Sequence, residues 1–283
     1  MKFSIITACY NAETYLEDTI RSILQQHGNF EIEYTILDNC STDRTGEIIQ
    51  RYLKLQEAGQ LKYDCRSLEI HYLCEPDSGL YDALVKGFEM ATGEIIAYIN
   101  ANDFYFPGAF ATVHEIFEEN REVQWLTGIP VSTNETGQPV YWVLPLRYNI
   151  SMIRQGYYGR RLYYVQQEST FWKKELLKAA NFETLRKMKL AGDYYLWFSF
   201  AAVAKLYQVR SFLAASRQHA DRLSADRAGY EAEIRAFSNK KGVKNHLRAF
   251  AQYGLTYLLP DKIKTILNPR IFFYSNNKWK KGK

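Results

Sequence analysis

Four apolar runs near the start of the chain, Phe3–Ala8, Ile32–Leu37, Leu68–Cys74 and Glu94–Ile99, alternate with segments whose apolar residues recur at helical spacing. Strands separated by helices predict a parallel α/β sheet. The first helix takes Asn11 as its cap and carries Leu16, Ile20, Ile23 and Leu24 on one face; a second carries Ile48, Ile49 and Leu53. A third spans Leu80–Ala91, and a fourth follows Pro107. Open parallel sheets bind ligands outside the carboxyl ends of their strands. Each of those ends is polar here: Thr7 to Asn11, Asp38-Asn39, Glu75-Pro76-Asp77 and Asn102-Asp103. One such end is ordinary turn chemistry. Four on one edge predict a binding site.

Beyond residue 120 the alternation loosens. Trp125–Gly128 and Tyr141–Val143 read as strands around a turn at Asn134-Glu135-Thr136-Gly137. Val165–Trp172 reads as extended, Lys173–Ala180 as helical and Leu206–Ala214 as a strand. Ala191–Ala204 is an apolar helix that must be buried, yet it begins with Asp193. From Ser224 to near Leu267 the chain reads as helical.

Length and composition narrow the function classes. A chain of 283 residues suits one large domain or a domain with an appendage. Hydrophobic residues at 47% and charged ones at 24% exclude a disordered or fibrous protein. The 22 Tyr read mainly as packing. Cys9, Cys40, Cys65 and Cys74 form no CxxC pair and read as reduced, which points to the cytoplasm. The first residues have strand character and soon meet Glu13 and Glu17, against a signal peptide. No apolar run is long enough to span a membrane. GxGxxG after a strand, GxxxxGK[ST], HExxH and GxSxG are all absent, which argues against dinucleotide, P-loop, zincin and α/β-hydrolase chemistry.

The net charge of +5 conceals an asymmetry. From Lys240 to Lys283 there are eleven Lys or Arg and one acid, Asp261, while the preceding body is mildly acidic. Lys262, Lys264, Arg270, Lys278, Lys280 and Lys281 lie among bulky apolar residues. That mixture suits an anionic membrane surface, and no nucleic-acid reader motif accompanies it.

The runs SIITACYNAETYLEDTIRSIL, ILDNCSTDRTGEII and EPDSGLYDALVKGFEMATGEIIAYINANDFYFPGA resemble family-2 glycosyltransferases of the GT-A fold, among them bacterial enzymes of surface polysaccharide assembly. QQESTFWKKELL, AGDYYLWFSFA and RQHADRLSADRAGYEAEI resemble the acceptor half of the same enzymes. The resemblance implies a GT-A domain over 1–223, with a nucleotide-sugar half (1–119) and an acceptor half (120–223). A helical, basic C-terminal extension would then occupy 224–283. It implies an inverting transferase at the cytoplasmic membrane face, moving sugar from a nucleotide diphosphate, UDP by expectation, to a saccharide or lipid-linked acceptor. The rival reading is a catalytically weak nucleotide-sugar-binding protein.

The site residues follow by the same resemblance. Thr7, Tyr10 and Asn11 cradle the nucleotide, and Asp38 accepts from the base, as a carboxylate accepts from a uracil N–H. Asp77, Gly79, Asp82 and Lys86 line the donor, with Lys86 as a point charge near the diphosphate. The family's Asp-x-Asp-Asp or Asn-x-Asp-Asp string is here Asn100-Ala101-Asn102-Asp103. Asn102 and Asp103, with His219, are thus the expected ligands of Mn2+ or Mg2+, bound weakly because an amide brings no charge. Gln167, Glu168 and Trp172 face the acceptor, and Asp193 is the general base.

Overall fold

The computed structural model describes residues 1–218, 226–239 and 243–282. Its first part runs β1 (Lys2–Cys9), α1 (Leu16–Leu24), β2 (Gly28–Asp38), α2 (Thr45–Glu57), β3 (Cys65–Cys74), α3 (Leu80–Met90) and β4 (Ile95–Tyr98). The middle adds β5 (Phe104–Tyr105), α4 (Ala109–Glu119), β6 (Trp125–Thr127), β7 (Val131–Thr133), β8 (Pro139–Trp142), α5 (Ile150–Arg154) and β9 (Thr170–Lys173). A 3-10 turn over Lys174–Ala179 leads to α6 (Phe182–Arg186), α7 (Gly192–Phe200), β10 (Leu206–Val209) and β11 (Ala214–Arg217). The chain closes with α8 (Arg227–Phe237), α9 (Val243–Leu258), α10 (Asp261–Leu267), β12 (Ile271–Ser275) and β13 (Lys278–Lys281).

The main sheet has nine strands in the order β13-β12-β10-β6-β9-β4-β1-β2-β3. β9 is antiparallel to β4 and β6, and β13 to β12; every other pair is parallel. Strands buried on both faces need cover on both. One face packs on Leu16, Ile20 and Ile23 of α1, Ile49 of α2 and Phe110 and Val113 of α4. The other packs on Leu84 and Phe88 of α3, Met152 of α5 and Trp197 and Phe200 of α7. α3 lies hard against the sheet at Gly87, where a Cβ would come 2.6 Å from Ile6 Cγ2. A smaller sheet, β5-β11-β7-β8, sits beside the large one. No helix among the described residues is long and apolar enough to cross a membrane.

Three expectations change. Asn11 does not cap α1, whose first residue is Leu16; its side chain serves the next strand end instead. The turn at Asn134–Gly137 joins β8 to β7, because β6 is held inside the large sheet between β9 and β10. The expected helical extension holds through α10, after which the chain becomes a hairpin. β12 pairs with β10 and buries Ile271 and Phe272, so apolar β-formers at 271–273 complete a sheet edge.

Candidate active site

Strand order reverses between β1 and β4: the chain steps outward from β1 to β2 and β3, then returns to β4 on the other side. Ligand crevices of open α/β sheets form at such points. The ends of β1, β2 and β3 are level, with Cys9 opposite Asp38 and Asp38 opposite Cys74. Asn11 adopts a positive φ of 48° and knits two strand ends together. Its backbone N–H donates to Ser41 Oγ (2.9 Å), and its Oδ1 accepts from the Thr42 N–H (2.9 Å). Ala12 N–H donates to Thr45 Oγ1 at 2.7 Å.

Asp38 is buried beneath this loop. Its Oδ1 accepts from the Ser41 N–H and hydroxyl, and its Oδ2 from Tyr72 Oη at 2.9 Å. A carboxylate offers about four lone-pair positions, so one remains for a base N–H. Tyr10, next in the chain to Cys9 opposite Asp38, is exposed. Thr7 is not brought there: it is fully buried and its Oγ1 accepts from Tyr34 Oη. Cys40 and Cys74 lie at the same edge with their sulfurs 3.8 Å apart.

The segment after β3 is a set of interlocked turns. Asp77 N–H donates to Asn39 Oδ1, and Asp77 Oδ1 accepts from the Gly79 N–H at 2.8 Å. Burial raises the Asp77 carboxyl above its ordinary range. Gly79 has φ 125°, a region that favours glycine, and open space where a Cβ would be. Asp82 is salt-bridged to Arg186 at 2.7 Å and accepts from the Ser78 N–H. Lys86 is held by Glu75 at 2.6 Å, so its charge reaches a diphosphate only with Glu75 attached or displaced.

At the end of β4, Asn100 Nδ2 donates to Asp103 Oδ2 (3.0 Å) and lies 3.3 and 3.4 Å from Gln167 Oε1 and Glu168 Oε1. Asp103 Oδ1 accepts from the Arg217 N–H at 2.8 Å. Glu168 is buried against Asp103. Burial and that neighbouring carboxylate hold its carboxyl well above the usual range. Gln167 is buried too, donating to Tyr98 O. Among the described residues no group of three His, Cys, Asp or Glu is disposed to hold a metal ion, and His219 lies outside them. The described donor set, one buried carboxylate already hydrogen-bonded on both oxygens plus the Asn102 amide, does not fit a protein-held divalent cation. Trp172 does not face the acceptor side either. It is fully buried among Phe88, Tyr98, Trp197 and Phe200, and no sugar ring reaches it.

Asp193 opens α7, half-buried. Burial is the largest influence on its carboxyl, raising it from 3.8 to about 6 against the lowering effect of the Tyr194 N–H and the Tyr230 hydroxyl. Tyr230 Oη donates from α8 to Asp193 at 3.2 Å. Also from α8, Glu233 accepts from the N–H groups of Lys189, Leu190 and Ala191 at 3.0, 3.0 and 2.8 Å, fixing the loop that delivers Asp193. Tyr81 of α3 donates to Leu190 O, and Lys189 Nζ to Ser78 O, both at 3.0 Å. The base loop and the donor loop are therefore one hydrogen-bonded unit. Tyr230 and Glu233 carry no local motif. Both lie within the run RQHADRLSADRAGYEAEI, whose resemblance marks the segment but gives neither residue a role.

The family model for glycosyl transferase family 2 matches residues 4–201. TuaG of Bacillus subtilis, named for teichuronic acid biosynthesis, is 39% identical over 101 residues, 35% of this chain and 35% of its own. The poly(ribitol-phosphate) beta-N-acetylglucosaminyltransferase TarS of Staphylococcus aureus is 28% identical over 105 residues, 37% of this chain and 17% of its own. Curated relatives such as TuaG are thus matched over about a third of their length or less. Among solved structures, TarS 1-349 with UDP-GlcNAc has a TM-score of 0.55 at 16% identity, covering 94% of this chain and 70% of that one. The mannosyltransferase PcManGT of Pyrobaculum calidifontis with GDP-Man and Mn2+ has a TM-score of 0.56 at 17% identity, covering 90% and 70%. The shared fold is GT-A.

Proposed function

Since the chain belongs to glycosyl transferase family 2, we propose that it transfers a sugar, with inversion, from a UDP-sugar to a saccharide or lipid-linked acceptor in cell-surface polymer assembly, working at the cytoplasmic membrane face. The base of the nucleotide lies over Tyr10 and meets the remaining lone pair of Asp38. The loop from Asp77 to Gly79 receives the donor, helped by the open space at Gly79. Gln167 and Glu168 shape the acceptor side from beneath, and Asn102 and Asp103 close the β4 end. Any Mg2+ or Mn2+ would be held mainly by the oxygens of the diphosphate itself, with Asn102 and Asp103 beside it, and would offset the charge of the leaving group.

The carrying observation is Asp193, a half-buried carboxyl raised to about 6 and tied through Lys189 and Tyr81 to the donor loop. A general base works best when its pKa lies near the operating pH. Asp193 takes the proton of the acceptor hydroxyl while that oxygen bonds to the anomeric carbon. The bond from that carbon to the diphosphate breaks on the opposite face, and UDP departs with its electrons. The 1–223 unit holds the chemistry, and α8 of the 224–283 extension braces the base.

The test pairs calorimetry with transfer. UDP is expected to bind more tightly than GDP, and Asp193→Asn to abolish transfer of labelled sugar while donor affinity stays within a few-fold. Retained turnover in that variant would make Asp193 structural; equal affinity for UDP and GDP would remove the base assignment.

A further inference from the structure

The last two helices are built inside out. In α9 the buried positions are Asn245, Ala249, Gln252 and Thr256, three of them polar. Each polar group is used internally. Asn245 Nδ2 donates to Ser151 Oγ and Gln155 Oε1, Gln252 Nε2 to Tyr158 Oη, and Thr256 Oγ1 accepts from the Leu146 N–H. The outward positions hold Leu247, Phe250 and Leu258, which are 70, 84 and 81% exposed. α10 repeats the inversion: Lys264 and Thr265 are buried, while Ile263 and Ile266 are exposed. Surface helices ordinarily turn their apolar stripe inward, and a contiguous apolar patch marks a docking site. The patch continues onto β8, where Tyr141 Oη lies 3.2 Å from Tyr257 Oη and Trp142 is exposed.

Charge selects the occupant. Lys244, Arg248 and Lys262 border this face and are exposed. Asp261 is the lone acid between Lys240 and Lys283, and it is engaged with Lys264 at 3.0 Å. A second copy docking face to face would press like charge on like charge. An anionic bilayer supplies opposite charge at its headgroups and an apolar phase just beneath them.

We propose that the α9–α10 face, continued by β8, docks this chain on an anionic lipid bilayer, with Phe250 and Leu258 seated at the boundary between headgroups and acyl chains. This deepens the membrane-face reading above and rests on it for the lipid-linked acceptor. β8 and β5 are the two edges of the small sheet, and β5 begins directly after Asp103. The small sheet thus links the docking face, at β8, to the β4 end of the site, at β5. The bases of β13 play a lesser part, since Lys281 is bound to Glu122 at 2.8 Å on the large sheet.

The test sediments the full chain with phosphatidylcholine vesicles, with and without phosphatidylglycerol, at low salt. Binding is expected only with the anionic lipid. Phe250→Ser with Leu258→Ser should weaken it by roughly tenfold or more, as should Lys244→Glu with Lys262→Glu, both pairs keeping the thermal midpoint. Wild-type protein left in the supernatant, or a Phe250/Leu258 variant that binds undiminished, would overturn the proposal. So would light scattering that shows a dimer which the same variant dissociates, since the face would then belong to a second copy. UDP affinity is read on every sample. Vesicle binding without UDP binding would leave the docking face standing and remove the donor reading.

Discussion

The phenol of Tyr230 bridges both carboxylate oxygens of Asp193, at 3.2 and 3.3 Å, although the two residues lie on different helices. Burial raises the Asp193 carboxyl, and this hydroxyl draws it part of the way back down. A base must be ionised, so activity should fall as pH drops through the pKa. Tyr230→Phe removes a stabiliser of the ionised form, and the acidic limb of the kcat/KM profile should move to higher pH. A limb that stays in place would reduce Tyr230 to a packing residue.

Asp193 should also cost the fold stability. With its pKa raised from 3.8 to about 6, the folded state prefers the neutral acid. The penalty is full above pH 6, fades as pH falls toward 3.8, and is absent below. Asp193→Asn should therefore stabilise the fold at pH 8 by at most about 3 kcal/mol, read as a higher thermal midpoint. The gain should vanish near pH 4. A variant less stable than wild type at pH 8 would contradict this.

Glu33 has the opposite sign. Burial would raise its carboxyl, but hydrogen bonds from Ser4, Thr92 and Lys2 prevail and lower it from 4.5 to about 2. Its stabilisation is present above pH 4.5 and is lost as pH falls toward 2. Glu33→Gln should cost about 2–3 kcal/mol at pH 7, read from urea midpoints, and much less at pH 3.

Metal binding should depend on nucleotide. Mn2+ alone is expected to give little heat in calorimetry, and more once UDP is present. Asn102→Asp adds an anionic hard ligand and should tighten the ion. Tight Mn2+ binding to the wild-type chain without nucleotide would count against the incomplete donor set.

Much of this arrangement is legible in the sequence because it is local. Each strand and helix from β1 to β4, the polar residues at each strand end and the Gly192-Asp193 helix start are signalled within short stretches of chain. What escapes is set by tertiary packing. A Thr or Trp near a strand end reads equally well as site or core, and the sheet buries Thr7 and Trp172. Tyr230 and Glu233 act on residues 37 and 42–44 positions earlier, across a distance that no spacing rule spans. α9 defeats periodicity in a different way: its apolar face is visible in the sequence, but the pattern cannot say that it turns outward.

β12 pairs with β10 through bonds such as Gln208 N–H to Arg270 O and Arg210 N–H to Phe272 O, both 2.8 Å. During synthesis from the amino end, β10 emerges some sixty residues before its partner. A nascent chain of that length carries an unpaired sheet edge, the kind of surface that recruits other chains. Ribosome pausing or premature termination ahead of residue 271 would therefore yield a sticky product. The hairpin is a late-arriving cover, and its loss should appear first as aggregation during expression.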